Sequence, residues 1–65
     1  MKVRDILSLI KDDGRVQVRQ RGSHRQFQHP NRPGGLTVAG HPSRDLPEWI
    51  VNSIMKQAGI DWRKK

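Results

Sequence analysis

An apolar stripe at helical spacing lies near the N-terminus, formed by Val3, Ile6, Leu7 and Ile10. Residues at i, i+3, i+4 and i+7 share one side of an α-helix, so this stripe predicts an amphipathic helix over about residues 2–13. Gly14 is expected to end the helix, because glycine readily adopts the left-handed conformation found at many helix ends. A helix with one apolar face must bury that face, so the rest of the chain has to cover it.

The same spacing recurs near the C-terminus, at Val51, Ile54, Met55 and Ala58. Pro47 suits the first position of this second helix, because its missing N–H needs no partner there. Gly59 followed by Ile60 predicts a Schellman-type end, in which the apolar residue folds back onto the last turn.

Three short strands are predicted between the helices, at residues 15–20, 23–28 and 36–39. Val16 and Val18 alternate with polar residues, which predicts that both valines point toward the core. Residues 21–22 form a short turn, and residues 29–35 are rich in turn formers and are expected to be a loop.

The predicted order is α-β-β-β-α, an α+β fold with a three-stranded antiparallel sheet. Three short strands cannot bury both faces, so we expect both helices on one face and water on the other. A chain of 65 residues forms one domain at most. We assign residues 1–60 to that domain and residues 61–65 to a basic C-terminal tail.

Composition limits the classes of function. Thirteen Lys and Arg residues against six Asp and Glu give a net charge of +7, which is typical of a nucleic-acid-binding protein, with an acidic protein partner as the alternative. The chain has no cysteine, so disulfides and cysteine-based metal sites are excluded. No apolar run approaches the roughly 18 residues of a membrane span. A cytoplasmic protein without membrane contact is therefore expected.

One histidine is predicted on the open face of the sheet. Phe27 is the only phenylalanine and the natural core residue of the second strand. His24 lies three residues away, so a regular strand places it on the opposite face, together with Gln26. If the valines of the first strand point inward, Gln17 and Arg19 share that open face.

A histidine among arginines suits the cleavage of RNA without a metal ion. A base must take the proton of the 2′-hydroxyl, and histidine titrates near neutral pH. The guanidinium fork of arginine matches phosphate oxygens and can stabilise the charge of the transition state. His24 is the candidate base. The candidates for RNA binding are Arg19, Arg21 and Arg25, with Ser23 and Gln26 in support and His41 as a candidate acid.

Other interpretations stay open at this point. A lone exposed histidine in a strand is often an ordinary surface residue. The spacing of His24, His29 and His41 matches no familiar ligand pattern, so no metal or other cofactor is expected. A non-catalytic RNA-binding module of the same fold is the alternative function, because such domains read shape and the 2′-hydroxyl without chemistry. A small adaptor that binds an acidic protein is a third interpretation.

Several short motifs occur in a fixed order: Gly22-Ser23-His24, Phe27, His29-Pro30, Leu36-Thr37-Val38, His41, Asp45-Leu46-Pro47 and residues 54–60. Together they resemble the HicA family, the small toxins of HicA/HicB toxin–antitoxin modules, over residues 1–60. The resemblance implies a fold like that of double-stranded-RNA-binding domains, and His24 as the catalytic residue of a metal-independent endoribonuclease. Such an enzyme cleaves mRNA and arrests translation and growth.

The same resemblance implies a HicB-type antitoxin as partner, which covers the active face, and operator DNA bound only through the antitoxin complex. Two departures from the family pattern stand out. Many members have a second histidine where this chain has Arg25. An aromatic residue often follows the glycine that closes the first helix, whereas this chain has Arg15, so a thinner core is expected at that edge.

Overall fold

A computed structural model describes residues 1–62 and contains two helices and three strands. They are α1 (Val3–Asp12), β1 (Val16–Arg21), β2 (His24–His29), β3 (Arg32–Val38) and α2 (Glu48–Ala58). The strands form one antiparallel sheet in the order β1-β2-β3, which confirms the predicted α-β-β-β-α order. Of the predicted tail, Trp62 packs against the core, and residues 63–65 lie outside the described residues.

The core lies on one face of the sheet. Phe27 of β2 pairs with Leu36 of β3, and Val38 lies two residues further along on the same side. These three side chains form one cluster with residues of both helices: Val3, Ile6 and Ile10 of α1 and Val51, Met55 and Ala58 of α2. Both helices therefore pack on one face, as predicted. The two helices within residues 1–62 have only ten and eleven residues, which is too short for a membrane span.

Strand β1 lies beside this core and contributes nothing to it. The prediction that its valines point inward is wrong, because Val16 and Val18 are 57% and 52% exposed. The buried cluster draws its sheet residues from β2 and β3 only, and every residue of β1 is exposed. Alternation in the sequence predicts a strand with two different faces, but it does not say whether a helix covers that strand.

Strand β3 begins earlier than the sequence predicted. Residues 29–35 were expected to be a loop, whereas β3 starts at Arg32 and only Pro30 and Asn31 remain in the turn. Gln28 pairs with Gly35 while His29 pairs with Arg32, so residues 33–34 bulge out of the ladder. An edge strand tolerates this bulge, since the proline has no N–H to donate and the glycine takes a positive φ of 91°.

Both helices end in Schellman geometry, which was predicted for α2, whereas for α1 only an end at Gly14 was predicted. Gly14 and Gly59 have φ values of 94° and 71°, in the left-handed region. The N–H groups of the following residues, Arg15 and Ile60, bond to the carbonyls five residues back at 3.3 and 2.9 Å. At the other end of α2, the predicted position of Pro47 is off by one residue, because Pro47 is the N-cap and the helix begins at Glu48.

Arg15 closes the corner where the two helices end. Its side chain is buried, and Nη2 donates to the carbonyl of Ala58 at 3.3 Å, while Nε lies 3.8 Å from the Asp13 carboxylate. Arg32 of β3 binds the same carboxylate at 3.1 Å and the same carbonyl at 3.3 Å. Cations at a helix C-terminus complement its dipole. The edge that was expected to be thin is therefore filled by the arginine stem.

The stem of Arg15 is expected to matter more for stability than its charge. Nε and Nη1 have no hydrogen-bond partner among the described residues, and Arg32 also satisfies Asp13 and Ala58. Arg15→Met keeps the apolar stem, so its free energy of unfolding should stay within about 1 kcal/mol of the original. Arg15→Ala should lose about 2 kcal/mol through lost packing. Urea denaturation measures both, and equal losses would contradict this assignment.

Candidate functional site

A shallow pocket of about 160 Å³ lies on the open face of the sheet. All three strands contribute to it, and its lining residues are Arg19, Arg21, His24, Gln26 and Thr37. His24 and Gln26 thus lie on the face opposite Phe27, where strand alternation predicted them.

Cross-strand pairing brings the pocket residues together. Arg21 pairs with His24, and Gln26 pairs with Arg19 on one side and with Thr37 on the other. Paired residues of an antiparallel sheet present their side chains on the same face, with Cβ atoms about 4.5–5.5 Å apart. The guanidinium of Arg21 therefore lies beside the imidazole of His24. The next row of paired residues runs across all three strands, from Arg19 through Gln26 to Thr37.

A bulge in β1 brings Arg19 into this pocket. Gln17 pairs with Phe27 and Arg19 pairs with Gln26, so Val18 is an extra residue in the ladder. Gln17 shares the core side with Phe27, which corrects the expectation that it lies on the open face. In a regular strand Arg19 would share the side of Gln17; the extra residue moves it to the open face.

The polar groups of the pocket have no partner in the described part of the chain. Within residues 1–62, no hydrogen bond or ion pair involves the side chains of the five lining residues. His24 is exposed, and both of its ring nitrogens are therefore available to a ligand.

The other two histidines are held by local hydrogen bonds. Nδ1 of His29 accepts from the backbone N–H of Asn31 at 3.0 Å, and its Nε2 lies 3.1 Å from the Asp13 carbonyl oxygen. Nδ1 of His41 accepts from the backbone N–H of Ser43 at 3.2 Å and lies 2.8 Å from its hydroxyl. Each histidine precedes a proline and bonds the N–H two residues ahead. Neither lines the pocket, so the structure does not bring His41 together with His24 there.

Arg25 and Ser23 support the site from outside the pocket. Nη1 of Arg25 donates to the carbonyls of Ser23 at 3.3 Å and Gly40 at 2.9 Å. The N–H of Gly40 also donates to the Ser23 carbonyl at 3.3 Å. These bonds attach the β1–β2 turn to the loop after β3 and so fix the residues on either side of His24.

Thr37 is the pocket residue that sequence reasoning missed. It lies between Leu36 and Val38, which point into the core, so alternation alone puts its hydroxyl on the open face. Its place beside Gln26 depends on the β2–β3 register, which the sequence did not provide.

The hairpin and the pocket lie in a region of the chain that matches a known protein family. A family model described as the HicA toxin of bacterial toxin–antitoxin matches residues 3–60. The chain belongs to the HicA family. Its role is therefore that of a toxin, and an antitoxin is its expected partner. A search of curated proteins found no match. All five secondary-structure elements and the whole pocket lie within the matched residues.

Deleting Val18 should leave the pocket intact. Because the residues on either side of it pair with consecutive residues of β2, its removal gives an uninterrupted ladder with Arg19 still opposite Gln26. The free energy of unfolding should change by no more than about 1 kcal/mol, since Val18 is half-exposed. Cross-strand NOEs between the backbones of residues 19 and 26 check the register.

Deletion of Gln20 is the matched control. It removes the residue that pairs with Arg25, so Arg19 takes that place on the core side. Val18 then pairs with Gln26 and is no longer an extra residue in the ladder. A shifted register in the Val18 deletion, or an unchanged Arg19 pairing in the Gln20 deletion, would contradict the assigned bulge.

Proposed function

We propose that this HicA-family toxin is a metal-independent endoribonuclease that cleaves mRNA and thereby arrests translation and growth. The observation that carries the proposal is the state of His24. Within residues 1–62 its two ring nitrogens have no partner, and it lies in a pocket with two guanidiniums that are unpaired among the same residues. An imidazole that can gain and lose a proton beside phosphate-binding groups is what this reaction requires. The toxin role of the family supports the same conclusion.

The reaction follows from these groups. His24 accepts the proton of a ribose 2′-hydroxyl, and the 2′-oxygen forms a bond to the adjacent phosphorus while the bond to the 5′-oxygen breaks. The products are a 2′,3′-cyclic phosphate and a 5′-hydroxyl. Arg19 and Arg21 bind the phosphate oxygens as negative charge develops. The leaving oxygen lies on the far side of the phosphorus from the base, so we assign its protonation to water in the exposed pocket.

Replacing His24 by glutamine should abolish cleavage while keeping the fold. Glutamine retains hydrogen bonding, but it cannot accept the proton, so kcat/KM on single-stranded RNA should fall by about 100- to 10,000-fold. Gel analysis of RNA products gives the rate, and a growth assay gives the toxicity. Undiminished cleavage and toxicity by folded His24→Gln would overturn the proposal.

Three controls separate chemistry from binding. An RNA with a 2′-deoxy sugar at the cleaved position should bind and stay intact, because the attacking oxygen is missing. Arg19→Gln and Arg21→Gln should each flatten the log–log salt dependence of RNA affinity by about 0.7, since each removes one phosphate contact. If the original chain retards RNA without shortening it, the alternative of a non-catalytic RNA-binding module is correct.

We also propose that a HicB-type antitoxin covers the open face. Operator DNA is bound only through that toxin–antitoxin complex. The toxin acts in the cytoplasm, where mRNA lies. Arg19 and Arg21 favour an acidic partner surface, and the exposed Val16 and Val18 beside them favour apolar contacts. Antitoxin and RNA should therefore compete for the folded His24→Gln variant; simultaneous binding of both would contradict a covered face.

A further inference from the structure

Two of the five pocket side chains are not suited to phosphate alone. Gln26 and Thr37 carry acceptor oxygens as well as donors, whereas Arg19 and Arg21 carry only donors. A phosphodiester group has no hydrogen to donate, so the acceptor oxygens of Gln26 and Thr37 form no hydrogen bond with it. They match a group that presents N–H and acceptor atoms together, such as the edge of a nucleobase.

The position of these two side chains fits the nucleoside next to a phosphate held at His24. Gln26 lies two residues from His24 on β2, which is about 7 Å along the strand. Thr37 lies beside Gln26 on β3, one strand spacing of about 4.8 Å further from Arg19. The guanidiniums and the imidazole thus occupy one side of the pocket, and the mixed donor and acceptor groups occupy the other.

The surface beyond Thr37 is open because Gly35 carries no side chain. Gly35 lies two residues before Thr37 on β3, on the same face, and pairs with Gln28. The fold does not require glycine here: its φ is not positive, and an added Cβ would lie 3.8 Å from the Phe27 carbonyl oxygen, an ordinary contact. A larger strand residue would fit the backbone but would cover the surface beside Thr37.

We propose that Gln26, Thr37 and Gly35 form a nucleoside subsite that selects the base on the 5′ side of the cleaved bond. Gln26 and Thr37 hydrogen-bond the base edge, and Gly35 leaves room for the ring to lie against the sheet. This subsite rests on the proposed RNA cleavage and specifies its substrate: a single-stranded RNA whose base is unstacked and free to be read.

The test compares short single-stranded RNA oligonucleotides that differ only in the base 5′ to the cleaved bond. The double variant Gln26→Met, Thr37→Val removes the polar groups while keeping similar shapes. It should reduce the spread of kcat/KM among the bases by about tenfold, as expected for the loss of one to two hydrogen bonds. Gln57→Met, an exposed change on α2, is the matched control and should keep the original spread.

A binding experiment separates this proposal from the cleavage proposal. Affinities for the same oligonucleotides are measured with His24→Gln, alone and combined with the double variant. If the original chain does not cleave RNA, the endoribonuclease assignment fails, but a base preference that the double variant loses still supports the subsite. If His24→Gln binds all bases with equal affinity, or if its base preference stays the same when the double variant is added, the subsite is wrong.

Gly35→Val tests the space for the base. It should lower RNA affinity by about tenfold, while the melting temperature stays equal or rises, because valine favours strands. Unchanged RNA affinity in a folded Gly35→Val variant would overturn the role of this open surface.

Discussion

The burial of Phe27 under both helices is the contact on which the open face depends. Phe27 pairs with Leu36, and together they give the two helical stripes a common surface to cover. Once this side of β2 is covered, alternation leaves His24 and Gln26 on the other side, facing water. The single phenylalanine therefore sets both the packing of the helices and the exposure of the proposed base.

Five of the thirteen basic residues fall into two groups with different tasks. Arg15, Arg25 and Arg32 donate to carbonyl oxygens at helix ends and loops, where unpaired acceptors would otherwise remain. Arg19 and Arg21 have no such acceptor in the described part of the chain and lie in the pocket. The net charge of +7 therefore overstates the charge available at the site, and the local pair of guanidiniums is the relevant quantity for RNA.

Sequence patterns predicted the parts of the fold that depend on local conformation. Gly14 and Gly59 end the helices because of their own backbone freedom, and the parity of Phe27 and His24 needs only one regular strand. The exposure of Val16 and the register that sets Thr37 beside Gln26 depend on distant segments. The bulge at Val18 adds one residue to β1, and nothing in the sequence marks it. The prediction for Arg19 assumed a regular strand with inward valines, so it named the correct face for an incorrect reason.

The difference among the three histidines has a physical cause in the backbone. His29 and His41 precede prolines at turns, where the chain reverses and the N–H two residues ahead is free to reach Nδ1. In that bond Nδ1 is the acceptor, so its lone pair is already used by the backbone. His24 is the first residue of β2, and within residues 1–62 its ring bonds to no backbone group. Its imidazole therefore holds no turn in place, which leaves it free for the proposed role of general base.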